Sequence, residues 1–289
     1  MKPAPFTYAA PSTIDEAIAL LVAYGDTAKL LAGGQSLMPM MNLRLARPQY
    51  IVDLNRVAGL DYIQEHDGAL VVGAMTRQRS LERMPTVRQH YPLLYEATAL
   101  IGHVAIRNRG TVGGSIAHAD PAAELPAVLL VHGGSVRIQG PRGTHQMAAD
   151  QLFRTYLTTA LEPDEILTAV HFPRWPAGTG WCFLEESRRH GDFAMVGVAV
   201  LLTLDAARRC THVAVGLCGV GDRPHKVAAA PGLLLGHPLE EARLRDVADA
   251  AASEIEPDSD LHASAEFRRH LSAVLTQRAL RTAAARATP

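Results

Sequence analysis

The sequence predicts an α+β protein of two domains, residues 1–175 and 176–289. Three observations predict it. Short helical and extended patterns alternate through the first part, which argues against a helix bundle. Two glycine stretches, Ala32-Gly33-Gly34-Gln35-Ser36 and Thr111-Val112-Gly113-Gly114-Ser115, each follow a segment able to bring the backbone in extended. A loop from Phe172 to Gly180, with two prolines and two glycines, then precedes three apolar segments and two helical ones, as a linker between domains would.

The elements follow in order. Thr13 to Tyr24 reads as a helix: Ser12 or Thr13 caps it, Glu16 completes a capping box, and Ile14, Ile18, Leu21 and Val22 share one face. Ala28–Leu31 is too short for a helix and delivers the first glycine stretch as a strand. Leu37 to Leu45 is apolar enough to pack beneath a ligand. Tyr50–Leu54 and Ala69–Ala74 are further strands, with Asp67-Gly68 as the turn before the second. Thr76 is placed to cap a helix running through Leu81, and Tyr91 to Ala99 forms another.

After the second glycine stretch the pattern predicts a helix to about Val131, with Asp120 as N-cap and Pro121 at its first position. Ser135–Gln139 and Glu165–His171 are strands. Beyond the linker, Trp181–Ser187, Ala194–Leu204 and His212–Gly219 form a three-stranded sheet. Helices follow over 239–255 and 264–285, the second with Phe267, Leu271, Val274 and Leu275 as its apolar stripe.

Composition narrows the function. A net charge of -1 gives no general attraction to nucleic acid or anionic lipid, and lysine occurs only at Lys2, Lys29 and Lys226. No stretch reaches the roughly 18 apolar residues of a membrane span. Met1 to Tyr8 lacks the apolar core of a signal peptide, so the expected location is cytoplasmic. Cys182, Cys210 and Cys218 lie at wide spacings without a C-x-x-C, as buried thiols rather than cluster or zinc ligands. The 13 histidines show no H-E-x-x-H spacing.

Familiar nucleotide and hydrolase motifs are missing. There is no P-loop, and Gly219-Val220-Gly221 runs into Asp222-Arg223-Pro224 where a Rossmann helix would open. Ser115, His118 and Asp120 cluster locally but lack the G-x-S-x-G context of a nucleophile elbow. The glycine stretches read in two ways. Either they are ordinary turns, or they are nests of N–H donors whose glycines supply positive φ and close approach, a pair of which suits a diphosphate.

Three segments together resemble the FAD-binding medium subunit of the molybdenum hydroxylases, the carbon monoxide dehydrogenase and xanthine dehydrogenase family. They are Ala32–Pro39, Ile106–Glu124 and Arg188–Ala194. The resemblance implies a vanillyl-alcohol-oxidase or p-cresol-methylhydroxylase (PCMH) type of FAD-binding domain, made of two α/β subdomains, followed by a smaller C-terminal domain. Carried over residue by residue, it implies that Ala32, Gly33, Gly34, Gln35, Ser36 and the adjoining Leu37, with Thr111, Val112, Gly113, Gly114 and Ser115, hold the pyrophosphate. Ile101 matches an apolar position near the cofactor, and Leu161 an apolar wall. Glu124 stands where relatives often have aspartate and would accept hydrogen bonds from the sugar or adenine side. Phe193 matches an aromatic position close to the isoalloxazine. Glu185 lies near where some relatives place a lysine, and no role is assigned to it.

The resemblance also implies an electron-transfer role with no catalytic acid, base or metal in this chain. Electrons from a molybdenum cofactor in a large subunit would pass through 2Fe-2S clusters of a small subunit to FAD, and on to an external acceptor. The complex would be a heterotrimer that dimerises. A stand-alone flavin oxidoreductase of the same fold, acting on a small substrate, is the alternative, as is a descendant that has lost FAD.

Overall fold

The computed structural model of the chain describes residues 1–288. At the N-terminus, Thr7–Ala9, Tyr50–Asp53 and Ala28–Leu31 pair in that order as a small parallel sheet. The Ile14–Tyr24 helix links the two outer strands, Thr7–Ala9 and Ala28–Leu31, which both pair with the central Tyr50–Asp53. The capping box forms: Thr13 Oγ1 accepts from the Glu16 amide at 3.2 Å, and Glu16 Oε2 accepts from the Thr13 amide at 3.4 Å. Ala17, Ile18 and Leu21 make the buried stripe, and Val22 lies past its edge, exposed.

A five-stranded antiparallel sheet follows, in the order Ile63–His66, Ala69–Gly73, Ile166–Pro173, Ser135–Gly140, Gly143–Ala148. Asp67 and Gly68, at φ of 50° and 74°, make the two-residue hairpin turn expected of them. Thr76 does not cap a helix. It is buried, its hydroxyl satisfies the backbone N–H and C=O of Tyr62, and the helix begins two residues later as Gln78–Arg83.

The helix expected from Asp120 starts later, as Glu124–His132 with Ala123 at its N-cap. Asp120 instead closes a turn, accepting from the Ala122 amide at 2.9 Å. All nine residues of Glu124–His132 are buried, because the helix lies between the five-stranded sheet and the sheet of the C-terminal part. This burial on every side explains why its sequence shows no amphipathic stripe.

The C-terminal sheet has four strands, not three: Gly180–Ser187, Ala194–Leu204, Cys210–Cys218 and the short His225–Lys226. Two residues are too few to carry an alternating pattern, so the fourth is set by pairing alone. Helices Glu241–Ser253 and Ala265–Arg286 cover this sheet. The buried stripe of the long helix is Arg268, Ser272, Leu275, Thr276, Ala279, Leu280 and Ala283, whereas Phe267, expected inside, is 44% exposed. Close packing selects small residues here: a Cβ on Gly180 would meet the Ala283 carbonyl oxygen at 1.9 Å.

The main core runs through both parts of the chain. Leu129, Val170 and Phe172 share it with Ala199, Leu201 and Ala214. Among the described residues no helix is long and apolar enough to cross a membrane.

Candidate functional site

The Ala28–Leu31 strand delivers the chain to the first glycine stretch, and the Leu37–Asn42 helix carries it away. Gly34 holds φ of +73°, which only glycine adopts without strain. Gly33 needs its missing side chain for another reason. A Cβ there would stand 2.4 Å from the Arg109 carbonyl oxygen and 2.8 Å from Gly110 Cα. The first glycine stretch therefore touches, backbone to backbone, the residues just before the second. A Cβ on Gly114 would also reach within 3.4 Å of Ala32 Cβ.

The donors differ between the two stretches. Among the described residues, the amides of Gly33, Gly34, Gln35 and Ser36 donate to no protein acceptor, while the Gln35 side chain folds back onto the Gly33 carbonyl at 3.1 Å. Four successive N–H groups without a protein acceptor are what an anion nest needs. The second stretch is not such a turn, and none of its glycines has positive φ. It is the start of the Val112–His118 helix, with Thr111 as N-cap accepting from the Gly114 amide at 3.0 Å. The amides of Val112, Gly113 and Ser115 are also taken, by the carbonyls of Thr76, Ala74 and Thr111. Gly113 is fixed by contact, since a Cβ would meet Ala74 Cβ at 2.5 Å. Ser115, at the end of this stretch, is half-buried.

The third motif is brought to the second. A Cβ on Gly191 would lie 2.5 Å from the His103 ring, and the His103 and His190 rings stack at 6.1 Å between centroids. The loop carrying Phe193 thus rests just beyond Ile101. Phe193 is 66% exposed, and Ile101 is buried at the end of the Pro92–Leu100 helix. Arg107 is buried: it donates to Glu82 and to the carbonyls of Ile101 and Gly102, holding the Ile101 turn in place. Arg109 is exposed. Leu161 is half-buried against the main core, and follows the Thr158–Thr159 strand beside the Val112–His118 helix.

Glu124 is buried at the first turn of its helix, facing the C-terminal sheet. Burial first, and then the nearby Glu185 carboxylate, push its carboxyl up to about 8. Glu185 is itself raised to about 7 by burial, with Oε2 lacking any partner among the described residues. Glu185, Gly197 and Cys218 form one cross-strand row, and Gly197 is required there because a Cβ would meet Cys218 Sγ at 2.5 Å. Burial, with the Glu185 carboxylate beside it, thus favours the neutral form of the Glu124 carboxyl.

Sequence reasoning missed Asp53, Asn55, Arg77 and Gln78, which brace the glycine stretches. Asn55 Nδ2 donates to the Ala32 carbonyl at 3.0 Å, and the Arg77 guanidinium donates to Asn55 Oδ1 and to the Arg109 carbonyl, each at 2.6 Å. The Gln78 amide N–H donates to the Gly110 carbonyl at 2.9 Å. Only the Asp53-x-Asn55 turn has a local signal; the rest depends on pairing between distant segments.

The free amides, the close approach that excludes a Cβ, and the neighbouring arginines suit a diphosphate, so the residues present fit a dinucleotide such as FAD. Comparison with known proteins agrees. Residues 4–175 match the model of the FAD binding domain in molybdopterin dehydrogenase, and residues 181–283 that of the CO dehydrogenase flavoprotein C-terminal domain. The chain is 39% identical over 289 residues to the 6-hydroxypseudooxynicotine dehydrogenase complex subunit alpha of Paenarthrobacter nicotinovorans, covering 100% of this chain and 98% of the relative. It is 37% identical to the carbon monoxide dehydrogenase medium chain of Hydrogenophaga pseudoflava, covering 99% of each. A solved structure of carbon monoxide dehydrogenase from that organism superimposes with a TM-score of 0.98 at 38% identity, covering 100% of both chains. With its glycine cradle and both family domains present along its length, this chain belongs to the family of FAD-binding medium subunits of the molybdenum hydroxylases.

Proposed function

We propose that this chain is the electron-transfer flavoprotein of a molybdenum hydroxylase assembly. In this reading it takes electrons from 2Fe-2S clusters of a small partner subunit and passes them from FAD to an external acceptor. A large partner holds the molybdenum cofactor, and the heterotrimer dimerises. The parallel and antiparallel sheets correspond to the two α/β halves of a PCMH-type FAD domain, and the loop at 174–179 marks the passage to the C-terminal domain.

The observation that carries this reading is the row of unoccupied amides from Gly33 to Ser36, pressed against the backbone before Thr111, in a chain that matches its relatives end to end. When bound, FAD supplies the junction chemistry, accepting electrons singly and releasing them in pairs.

The residues of the chain bind and orient. Gly33 to Ser36 offer N–H donors to the diphosphate, with Ser115 opposite. Ile101 and Leu161 provide apolar surface that keeps water from one side. In this reading Phe193, exposed on its loop, covers the ring system and meets the cluster subunit, together with the exposed Val104. No nucleophile or general base is required of this chain for that role.

The test is direct. Purified full-length chain should carry one flavin per polypeptide, released by denaturation and identified chromatographically as FAD. It should also co-purify with a 2Fe-2S subunit and a larger subunit when the three are co-expressed. Absence of flavin, or FMN in its place, would sink the reading.

A further inference from the structure

Two carbonyls mark where the glycine stretches meet. Ala32 C=O lies immediately before Gly33, and Arg109 C=O is the atom a Cβ on Gly33 would strike at 2.4 Å. One side chain reaches both sides of that contact. Arg77 donates through one guanidinium nitrogen to Arg109 O at 2.6 Å, and through the other to Asn55 Oδ1 at 2.6 Å. Asn55 passes the link on by donating Nδ2 to Ala32 O at 3.0 Å. The far end is anchored as well: Asp53 Oδ1 accepts from the Asn55 amide at 2.9 Å, and Asp53 Oδ2 accepts from the Tyr8 hydroxyl at 2.7 Å. Nothing else among the described side chains bridges the Ala32 and Arg109 carbonyls.

A planar fork is required for this. Arg77 spans two acceptors in fixed directions, which an ammonium on a flexible stem cannot do in one geometry. Its backbone contributes too, pairing with Thr111 as an isolated bridge, so that the residue is fixed to the second stretch at both ends.

We propose that Arg77 is the positioning residue of the diphosphate cradle: a forked strut that, through Asn55, sets the separation of the Ala32 and Arg109 carbonyls and thereby the aim of the free amides from Gly33 to Ser36. The inference rests on the FAD-binding reading above and adds to it which side chain makes the nest competent. Arg77 acts through the backbone it holds. Its charge, near the exposed Arg109, also favours an anion at that place, and the two contributions can be separated.

The experiment measures FAD affinity of flavin-stripped full-length chain by fluorescence quenching, for wild type, Arg77→Gln, Arg77→Lys and Asn55→Ala, alongside the thermal midpoint of each apoprotein. Wild type is measured first. If it does not bind FAD stoichiometrically, the functional reading itself fails, whatever the variants do. With wild type binding, Arg77→Gln should weaken FAD affinity roughly ten- to a hundredfold, the scale of one or two charge-assisted hydrogen bonds. Arg77→Lys should recover less than half of that loss on a logarithmic scale, and Asn55→Ala should reproduce most of it. Apoprotein midpoints should stay within about 2 °C of wild type, the shift of roughly a 1 kcal/mol stability change in a chain of this length. The proposal is overturned if Arg77→Gln binds FAD like wild type, if lysine restores affinity fully, or if the midpoint falls in step with affinity, which would make the residue a general stabiliser. Should Arg77→Gln not fold, Asn55→Ala, which cuts the strut at its other end, is judged by the same affinity and midpoint criteria.

Discussion

At Gly33 a methyl group would stand 2.4 Å from a backbone oxygen, whereas at Gly114 it would meet the Thr111 hydroxyl at 2.5 Å. A backbone atom cannot step aside, but a threonine side chain can rotate at the cost of its capping bond. Gly33→Ala should therefore abolish FAD retention on purification, while Gly114→Ala should only weaken it, measured as flavin per chain. The buried carboxyls give a second residue-level prediction. Glu124 and Glu185 titrate at about 8 and about 7 in the fold, against 4.5 for an ordinary glutamate. As pH rises above 4.5 the unfolded chain releases protons that the folded chain retains, so stability falls through this window and levels off above the folded values. The slope from Glu124 is at most about 1.4 kcal/mol per pH unit. Urea midpoints of the full chain should drop between pH 5.5 and 7.5, and Glu124→Gln should flatten that drop, because glutamine stays neutral throughout.

Helix starts and helix faces decide the next level. Thr111 caps the Val112–His118 helix through the Gly114 amide, so Thr111→Val should cost about 1 kcal/mol of stability, read by denaturant unfolding. In the C-terminal part the long helix packs so closely on the Gly180–Ser187 strand that a Cβ on Gly180 would lie 1.9 Å from the Ala283 carbonyl oxygen. Gly180→Ala should then destabilise by roughly 1–3 kcal/mol, the range of overpacked cores, and lower the unfolding midpoint. Of the expected stripe, Leu275 is buried and Leu271 packs half-buried on the core, whereas Phe267 lies outside and Ser272, Thr276, Ala279 and Ala283 fill much of the buried face.

The molecule as a whole behaves as one packed unit despite the linker. The Glu124–His132 helix is buried between sheets from both sides of the 174–179 loop, and the main core mixes Leu129 and Val170 with Ala199 and Ala214. Cleaving or truncating the chain at that loop should leave an N-terminal piece with exposed core. We expect residues 1–175 alone to give no cooperative thermal transition, where the full chain gives a single one by calorimetry. Two separate transitions in the intact chain would overturn this.

Much of this protein was legible in the amino-acid order itself. The capping box at Thr13 and Glu16, the Asp67-Gly68 hairpin and the positive φ at Gly34 are local matters, fixed by a few neighbouring residues whose side chains or lack of them allow only one backbone path. The three motifs also sufficed to indicate an FAD-binding medium subunit. What only the tertiary structure decided was everything that depends on two distant segments meeting. Gly33, Gly113 and Gly180 are glycines because another chain segment lies where a Cβ would be, not because a turn demands them. The amides of the second stretch are consumed by Thr76 and Ala74. Arg77 and Asn55 join across that same contact, and the Glu124 carboxyl is raised because the C-terminal sheet buries it. Local sequence sets backbone preference; desolvation and close approach are set by what packs against it.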